Sequence, residues 1–261
     1  MVLSLLEYYN RQKDREQQNL DRLSTTPPDK VNWNVICDTF GGFNSCFAVA
    51  NIFIERDLSW ARQHFYLCGR LNEIQIKIYN ARLFDYAIPN LCYAIMSDNQ
   101  ELLQRLGRLR YKGDGVNYPD MDKMLEKGES AIYCNSIQMI LLEDWAGLAR
   151  NLEIMEKVTL PKEKHKVMRL DFEFYKAILE RNKTKIEKVL KELTTPKIHK
   201  ARNDEPIFGQ YISMPALGYA KLAWQKGIEV DVASPLVPKE LLPVRPLDKY
   251  EDSYPFIKQL D

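Results

Sequence analysis

The chain has 261 residues, with 37 basic against 36 acidic side chains, 45% hydrophobic and 11% aromatic residues. That apolar content excludes a disordered chain, and no run reaches the ~18 unbroken apolar residues of a membrane helix. A net charge of +1 excludes bulk attraction to nucleic acid or an anionic bilayer, so neither membrane nor direct nucleic-acid binding is expected.

Met1 to Asn10 lacks the basic flank and small-residue cleavage site of a signal peptide and runs into Arg11-Gln12-Lys13-Asp14; the expected address is the cytoplasm. The first helix is predicted from Leu3 to Leu23, ended by Thr25-Thr26-Pro27-Pro28 because proline disfavours helical geometry in the residue before it. A second helical region runs from Val31 to Arg56, with Gly41-Gly42 as the place for a kink, each glycine weakening a helix interior by about 1 kcal/mol. Leu58, Ala61, Phe65, Cys68, Leu71, Ile74 and Ile78 step by three or four and place one apolar stripe on a third helix, with Asp57 and Ser59 as capping residues.

Three later segments share a pattern: the end of one helix, a polar corner at Asn99, Asp144 or Asn182, and an amphipathic partner. Asp98 with Glu101 has the spacing of a capping box. Stacked helical hairpins and an ordinary all-α globule both account for these corners. Between the first two lies the longest loop, Tyr111 to Asp122. The only clear alternation, Ile228 to Val232, is too short and isolated for a sheet. The predicted fold is therefore all-α: an irregular stack of helical hairpins forming a single domain over residues 1–261. Its N-terminal helix lies within 1–26, and a C-terminal packed helix, extended strap and short turn lie within 207–261.

Active-site chemistry is not suggested. Five cysteines (Cys37, Cys46, Cys68, Cys92, Cys134) sit in apolar runs without CxxC spacing and read as buried thiols of a reducing compartment. His64 and Cys68 lie one helical turn apart but lack a second ligand pair, so packing explains them better than zinc. His165 and His199 stand among lysines and read as exposed helix-end residues. Gly113-Asp114-Gly115 has neither the third glycine nor the βαβ context of a dinucleotide site. The spacing of Asp114, Asp120 and Asp122 fits no calcium loop. Glu143-Asp144 better serves its corner than paired-carboxylate catalysis. No enzyme, metal or cofactor is expected.

Charge is unevenly spread. Residues 156–200 hold 13 basic and 7 acidic side chains, and residues 203–261 hold 6 and 9. Lys183, Lys185, Lys188 and Lys191, interleaved with Glu187 and Glu192, read as a solvated helix face.

The most distinctive stretch is Ser213-Met214-Pro215-Ala216-Leu217-Gly218-Tyr219-Ala220-Lys221-Leu222-Ala223-Trp224 followed by Gln225-Lys226-Gly227-Ile228-Glu229-Val230. Small residues at 216, 218, 220 and 223 allow close helix approach, and Gly227 suits a left-handed C-cap. Pro238 opens a turn, Lys239-Glu240-Leu241-Leu242, that Pro243 closes. This ending resembles the immunity 49 family of bacterial polymorphic-toxin systems, with Met214 where that family would have leucine. The Phe174-Tyr175-Lys176-Ala177-Ile178 helix, the Asn182 corner and the His199-x-x-Arg202 segment are also similar to it. The resemblance extends from about Met168 to Pro243; the first 150 residues resemble the family only in being helical.

It implies an all-α cytoplasmic protein that binds and neutralises a cognate toxin, usually made by the neighbouring gene. Partner contact is expected at Tyr111, Asp114, Tyr118, Asp120 and Asp122, where aromatics stand beside acids that could oppose basic toxin residues. Trp33 and Trp60 are weaker anchors, since a tryptophan in an amphipathic helix is more often core. The rival readings are an α-repeat adaptor with a peptide groove and an unrecognised enzyme.

Overall fold

The computed structural model describes residues 3–85, 88–114, 117–203 and 205–260. It is 72% helical, with thirteen α-helices and no strand among the described residues, the all-α architecture that the apolar periodicity predicts. The first helix, α1 (Leu5–Thr25), opens on a reciprocal cap in which Ser4 and Glu7 each satisfy the other's backbone N–H. It ends at the residues before Pro27 and Pro28. The second, α2 (Trp33–Ala50), passes through Gly41-Gly42 without interruption; the irregularity falls instead at Asn51–Glu55, where one wider turn leads to Arg56 at φ 58°. The span Trp33–Glu55 is long and apolar enough to cross a membrane by length and composition alone, yet 67% of its apolar window is buried inside the fold. It serves as a core helix.

Its main partner is α3 (Leu58–Tyr79), capped by the Asp57 carboxylate, which accepts from the N–H groups of Ser59 and Trp60. The predicted stripe is buried from Ala61 to Ile74, with Ile78 exposed. Burial continues around the opposite face, where Arg62, Gln63, Arg70, Glu73 and Gln75 are also enclosed. These polar groups meet one another and the C-terminal tail. Arg70 bonds Glu73 at 2.5 Å and Asp252 at 3.3 Å, and Arg105 reaches Glu73 at 2.7 Å.

The hairpins follow: α4 (Ile88–Met96) with α5 (Gln100–Arg108), then α6 (Met121–Glu126), α7 (Ala131–Leu142) with α8 (Trp145–Ile154), and α9 (Arg169–Leu179) with α10 (Lys183–Leu193). The three predicted corners share one construction. A non-glycine residue adopts the left-handed conformation (Asp98 at φ 62°, Glu143 at 59°, Arg181 at 50°). The next residue, Asn99, Asp144 or Asn182, then accepts the N–H three residues on. Asn99, not Asp98, is thus the cap of α5. Asp98 is displaced inward and becomes fully buried.

After α11 (Pro196–Arg202) comes α12 (Met214–Gln225), buried from Met214 through Ala223. A Cβ on Gly218 would stand 2.4 Å from Cys92, so only glycine lets α12 lie against α4. Gly227, at φ 71°, ends the helix as predicted. The chain then runs extended, with Ile228, Val230 and Val232 buried and Glu229 and Asp231 exposed. That alternation marks a strap with one face on the core. The predicted turn forms at Lys239–Leu241 behind Pro238. The tail then crosses α3 and ends in α13 (Pro255–Leu260), whose Phe256 stacks with Tyr254 and packs edge-on against Phe40.

Lys221 closes the assembly. Its ammonium is fully buried and donates to Asp98 at 2.7 Å and to the carbonyls of Leu241 at 3.0 Å and Pro243 at 2.8 Å. Asp98 also takes Arg62 Nε at 3.3 Å and the N–H of Arg245 at 3.0 Å. Burial pulls Lys221 down to about 8, opposed by the Asp98 carboxylate beside it. Lys221→Met leaves Asp98 short of its ammonium and frees two carbonyls. The expected loss is about 3–5 kcal/mol, read from urea denaturation followed by circular dichroism.

His64 gives the fold a pH dependence. Its Nδ1 lies 2.8 Å from Asn44 Oδ1, whose amide donates to Phe40 O and Tyr254 Oη. The imidazole therefore holds its proton on Nδ1. Burial lowers its pKa from 6.5 to about 4, so between those values the unfolded chain binds the extra proton. Stability should fall as pH drops from 6.5 toward 4. A His64→Asn variant should show a flatter profile over that window in thermal melts.

Candidate functional site

The loop between α5 and α6 is built from its own side chains. The Asp114 carboxylate accepts from the N–H groups of Asn117 and Tyr118 at 2.7 and 2.8 Å, and the Asp120 carboxylate accepts from Gly113 N–H at 2.7 Å. Asn80, at the left-handed end of α3, brackets Lys112 by accepting its N–H and donating to its carbonyl. Gly113 has no room for a side chain, since a Cβ would meet the Tyr118 carbonyl at 2.3 Å.

The five predicted contact residues separate accordingly. Tyr118 is 53% exposed, its ring lying over the Arg82 guanidinium at 4.7 Å. Asp114 is exposed beside it, and Asp120 is half-buried. Asp122 stands in the first turn of α6 rather than in the loop, 73% exposed and 3.4 Å from Arg110. Tyr111 is different. It is 1% exposed, packs against Arg82, whose guanidinium lies 5.5 Å from its ring, and donates its hydroxyl to Asp85. The loop turns inward at Tyr111 because the ring completes the core, so it supports the site from beneath and is not a surface anchor. No cluster of three metal-ligating side chains occurs among the described residues; the aspartates are engaged with backbone N–H groups and basic side chains.

The tryptophans reverse expectation in one case. Trp33 is half-buried against Phe256 and donates to Pro28 O at 3.1 Å, whereas Trp60 is 56% exposed. Trp60 lies on the outer side of α3 beside a cleft lined by Gln63, Leu247, Lys249 and Glu251. The histidines read as exposed are enclosed: His165 is 4% exposed against Tyr133, and His199 lies half-buried, 2.6 Å from the Gly209 carbonyl. The flanking lysines concealed this. All five cysteines are buried and reduced, and burial pushes the thiols of Cys37 and Cys46 up to about 12.

Next to the loop, Asp85 forms one wall of a cleft of about 280 Å³ shared with Ile88, Ser130, Tyr133, His165 and Val167. The Tyr133 hydroxyl is buried there without a hydrogen-bond partner among the described residues. Val167, 69% exposed, is also the rim of a larger groove of about 610 Å³ between α9 and α10. Leu170, Ala177, Val189 and Ile198 line its apolar part, and Arg169, Lys176, Lys185 and Lys188 line it with Glu173 and Glu192. The two clefts share Val167, and Asp85 of the smaller one pairs with Arg82, over which the Tyr118 ring lies. The groove lies where the sequence shows only a solvated lysine face, and Ile198 of α11 adds to its lining.

Tyr111→Ala should cost about 3–5 kcal/mol in chemical denaturation through the lost core ring. Tyr118→Ala should cost no more than about 1 kcal/mol through its contact with Arg82.

A family model described as Immunity protein 49 matches residues 68–241. The match takes in α4 to α12, the three corners, the Gly218 approach and the strap through Leu241. It also begins well before Met168, where the resemblance read from the sequence starts. No curated protein and no solved structure matches the chain.

Proposed function

Because the chain belongs to the immunity protein 49 family, we propose that it binds a toxin protein and neutralises it by stoichiometric contact. In this reading it acts in the cytoplasm, and the toxin is the product of a neighbouring gene. The observation that carries the proposal is the family match over residues 68–241. The geometry is consistent with it: a braced, exposed aromatic, Tyr118, and a groove are both suited to a protein surface. A stable complex buries about 1,600 Å², centred on aromatic or arginine anchors surrounded by a polar rim. The face from Tyr118 to Val167 presents such an anchor with Asp114 and Asp122 at its edge. Binding energy in this arrangement goes into occlusion, with no chemical step by the inhibitor.

Co-expression tests the proposal. A neighbouring gene whose product arrests growth alone should be tolerated when this chain is present, and the two proteins should co-elute on size exclusion. Arrest that persists despite soluble expression of this chain would overturn it. Tyr118→Ala should weaken the complex about tenfold or more, as expected for a central aromatic, measured by calorimetric titration.

A further inference from the structure

We infer that the partner docks an acidic amphipathic helix into the groove between α9 and α10. This deepens the toxin-binding reading and rests on it. Three features select that occupant.

The first is charge. Arg169, Lys176, Lys185 and Lys188 line the groove against Glu173 and Glu192. Arg169 pairs with Glu173 at 3.5 Å and Lys185 with Glu180 at 2.7 Å. Lys176 and Lys188 have no carboxylate within ion-pair distance among the described residues; Lys176 lies over the Phe172 ring at 6.0 Å. Lys176 also acts at longer range on the Glu180 carboxylate, so Lys188 is the more available of the two to a partner. Lys191, Lys197 and Lys200 surround the same hairpin and are exposed, while Lys183 is paired with Glu187 at 3.7 Å; the excess of cations gives a positive field that attracts an acidic segment and raises its on-rate.

The second is the apolar component. Leu170 and Ile198 are half-buried between the charged ridges, above Ala177 and Val189, which belong to the core, and Val167 is the most exposed large hydrophobic residue of the chain's described part. A nucleic acid would bring phosphates against Glu173 and Glu192 and leave those apolar groups uncovered. A peptide with apolar residues at helical spacing covers them.

The third is shape. The groove lies between two packed helices, and no strand edge exists among the described residues. Recognition by strand addition is therefore ruled out at this face, while a helix can set its side-chain ridge between two ridges of the hairpin. The groove shares Val167 with the Asp85 cleft, and Asp85 pairs with Arg82 beside Tyr118, a chain of contacts along which one partner can engage both regions.

The test uses the full chain and the purified product of the neighbouring gene. The Lys176→Glu/Lys188→Glu variant should bind that product about tenfold or more less tightly at low salt, because like charges then face each other. Wild-type affinity should fall with added salt and the variant's should not. Val167→Asp should weaken binding independently, and both variants should retain the wild-type melting temperature. Hydrogen exchange on the wild-type complex should protect α9 and α10. If the wild type rescues growth and binds while both groove variants bind equally well, the groove inference fails and the immunity reading stands. If the wild type neither binds nor rescues, both fail. A 20-nucleotide strand bound by the wild type and released by the double variant would assign the groove to nucleic acid and overturn the inference.

Discussion

A buried ammonium is stable inside a helical core only when all its protons are accepted, and this requirement ties distant parts of the chain together. Lys221 needs the Asp98 carboxylate and two carbonyls of the 239–243 turn. Asp98 reaches it only because the corner between α4 and α5 adopts a left-handed backbone at that residue. The same carboxylate receives Arg62 from α3 and the Arg245 N–H from the tail. Four separate segments therefore meet at one charge pair. Gly218, one turn before Lys221 on α12, sets how closely that helix can approach α4. Breaking such a pair costs far more than an exposed ion pair, since the abandoned charge remains in a poor solvent.

That clamp explains how a tail with almost no regular structure can be part of the core. Beyond Gly227 the strap is fixed first by alternate burial of Ile228, Val230 and Val232, then by the clamp, then by side chains along α3. Gln63 exchanges hydrogen bonds with Glu251, Asp252 takes Tyr66 and Arg70, and Tyr254 reaches Asn44 and Glu16. The Asp252 carboxylate is used here against α3, whereas Glu229, Asp231 and Glu240 stay exposed. In the basic stretch at 156–200, Lys183, Lys185, Lys188 and Lys191 are exposed around α10. A near-zero net charge thus coexists with an outward surface that is locally positive around α9 and α10.

Much of this was legible in the residues, for physical reasons. Period-3.6 apolar spacing gave the helices, and prolines at 27 and 28, glycine at 227 and the polar residues at 99, 144 and 182 gave their ends. The signature around Gly218 pointed to close packing because only a missing Cβ permits it. What escaped notice depends on which neighbour a side chain meets, and that is decided by tertiary structure. Asp98 and Glu101 have cap spacing, yet the corner needs Asn99 as cap and turns Asp98 inward. Tyr111 and Tyr118 look alike along the loop and both meet Arg82, yet one ring lies in the core and the other in solvent. His165 has lysines on both sides in sequence and Tyr133 beside it in space.

The same reasoning separates positioning from recognition at the candidate interface. Asp114 and Asp120 were expected to face a basic partner, and their carboxylates are instead committed to the loop's own N–H groups. Opposing charges on a toxin would have to compete with those bonds, so the two acids contribute shape more than attraction. Tyr118 gains from this, because a ring held over Arg82 by a braced loop loses little conformational entropy on binding. Attraction then has to come from elsewhere on the face. Lys176 and Lys188 line the groove, which shares Val167 with the cleft beside Asp85. A partner matched to this surface would therefore carry an apolar socket for the tyrosine and negative charge for the hairpin, the reverse of the polarity that the loop aspartates alone suggest.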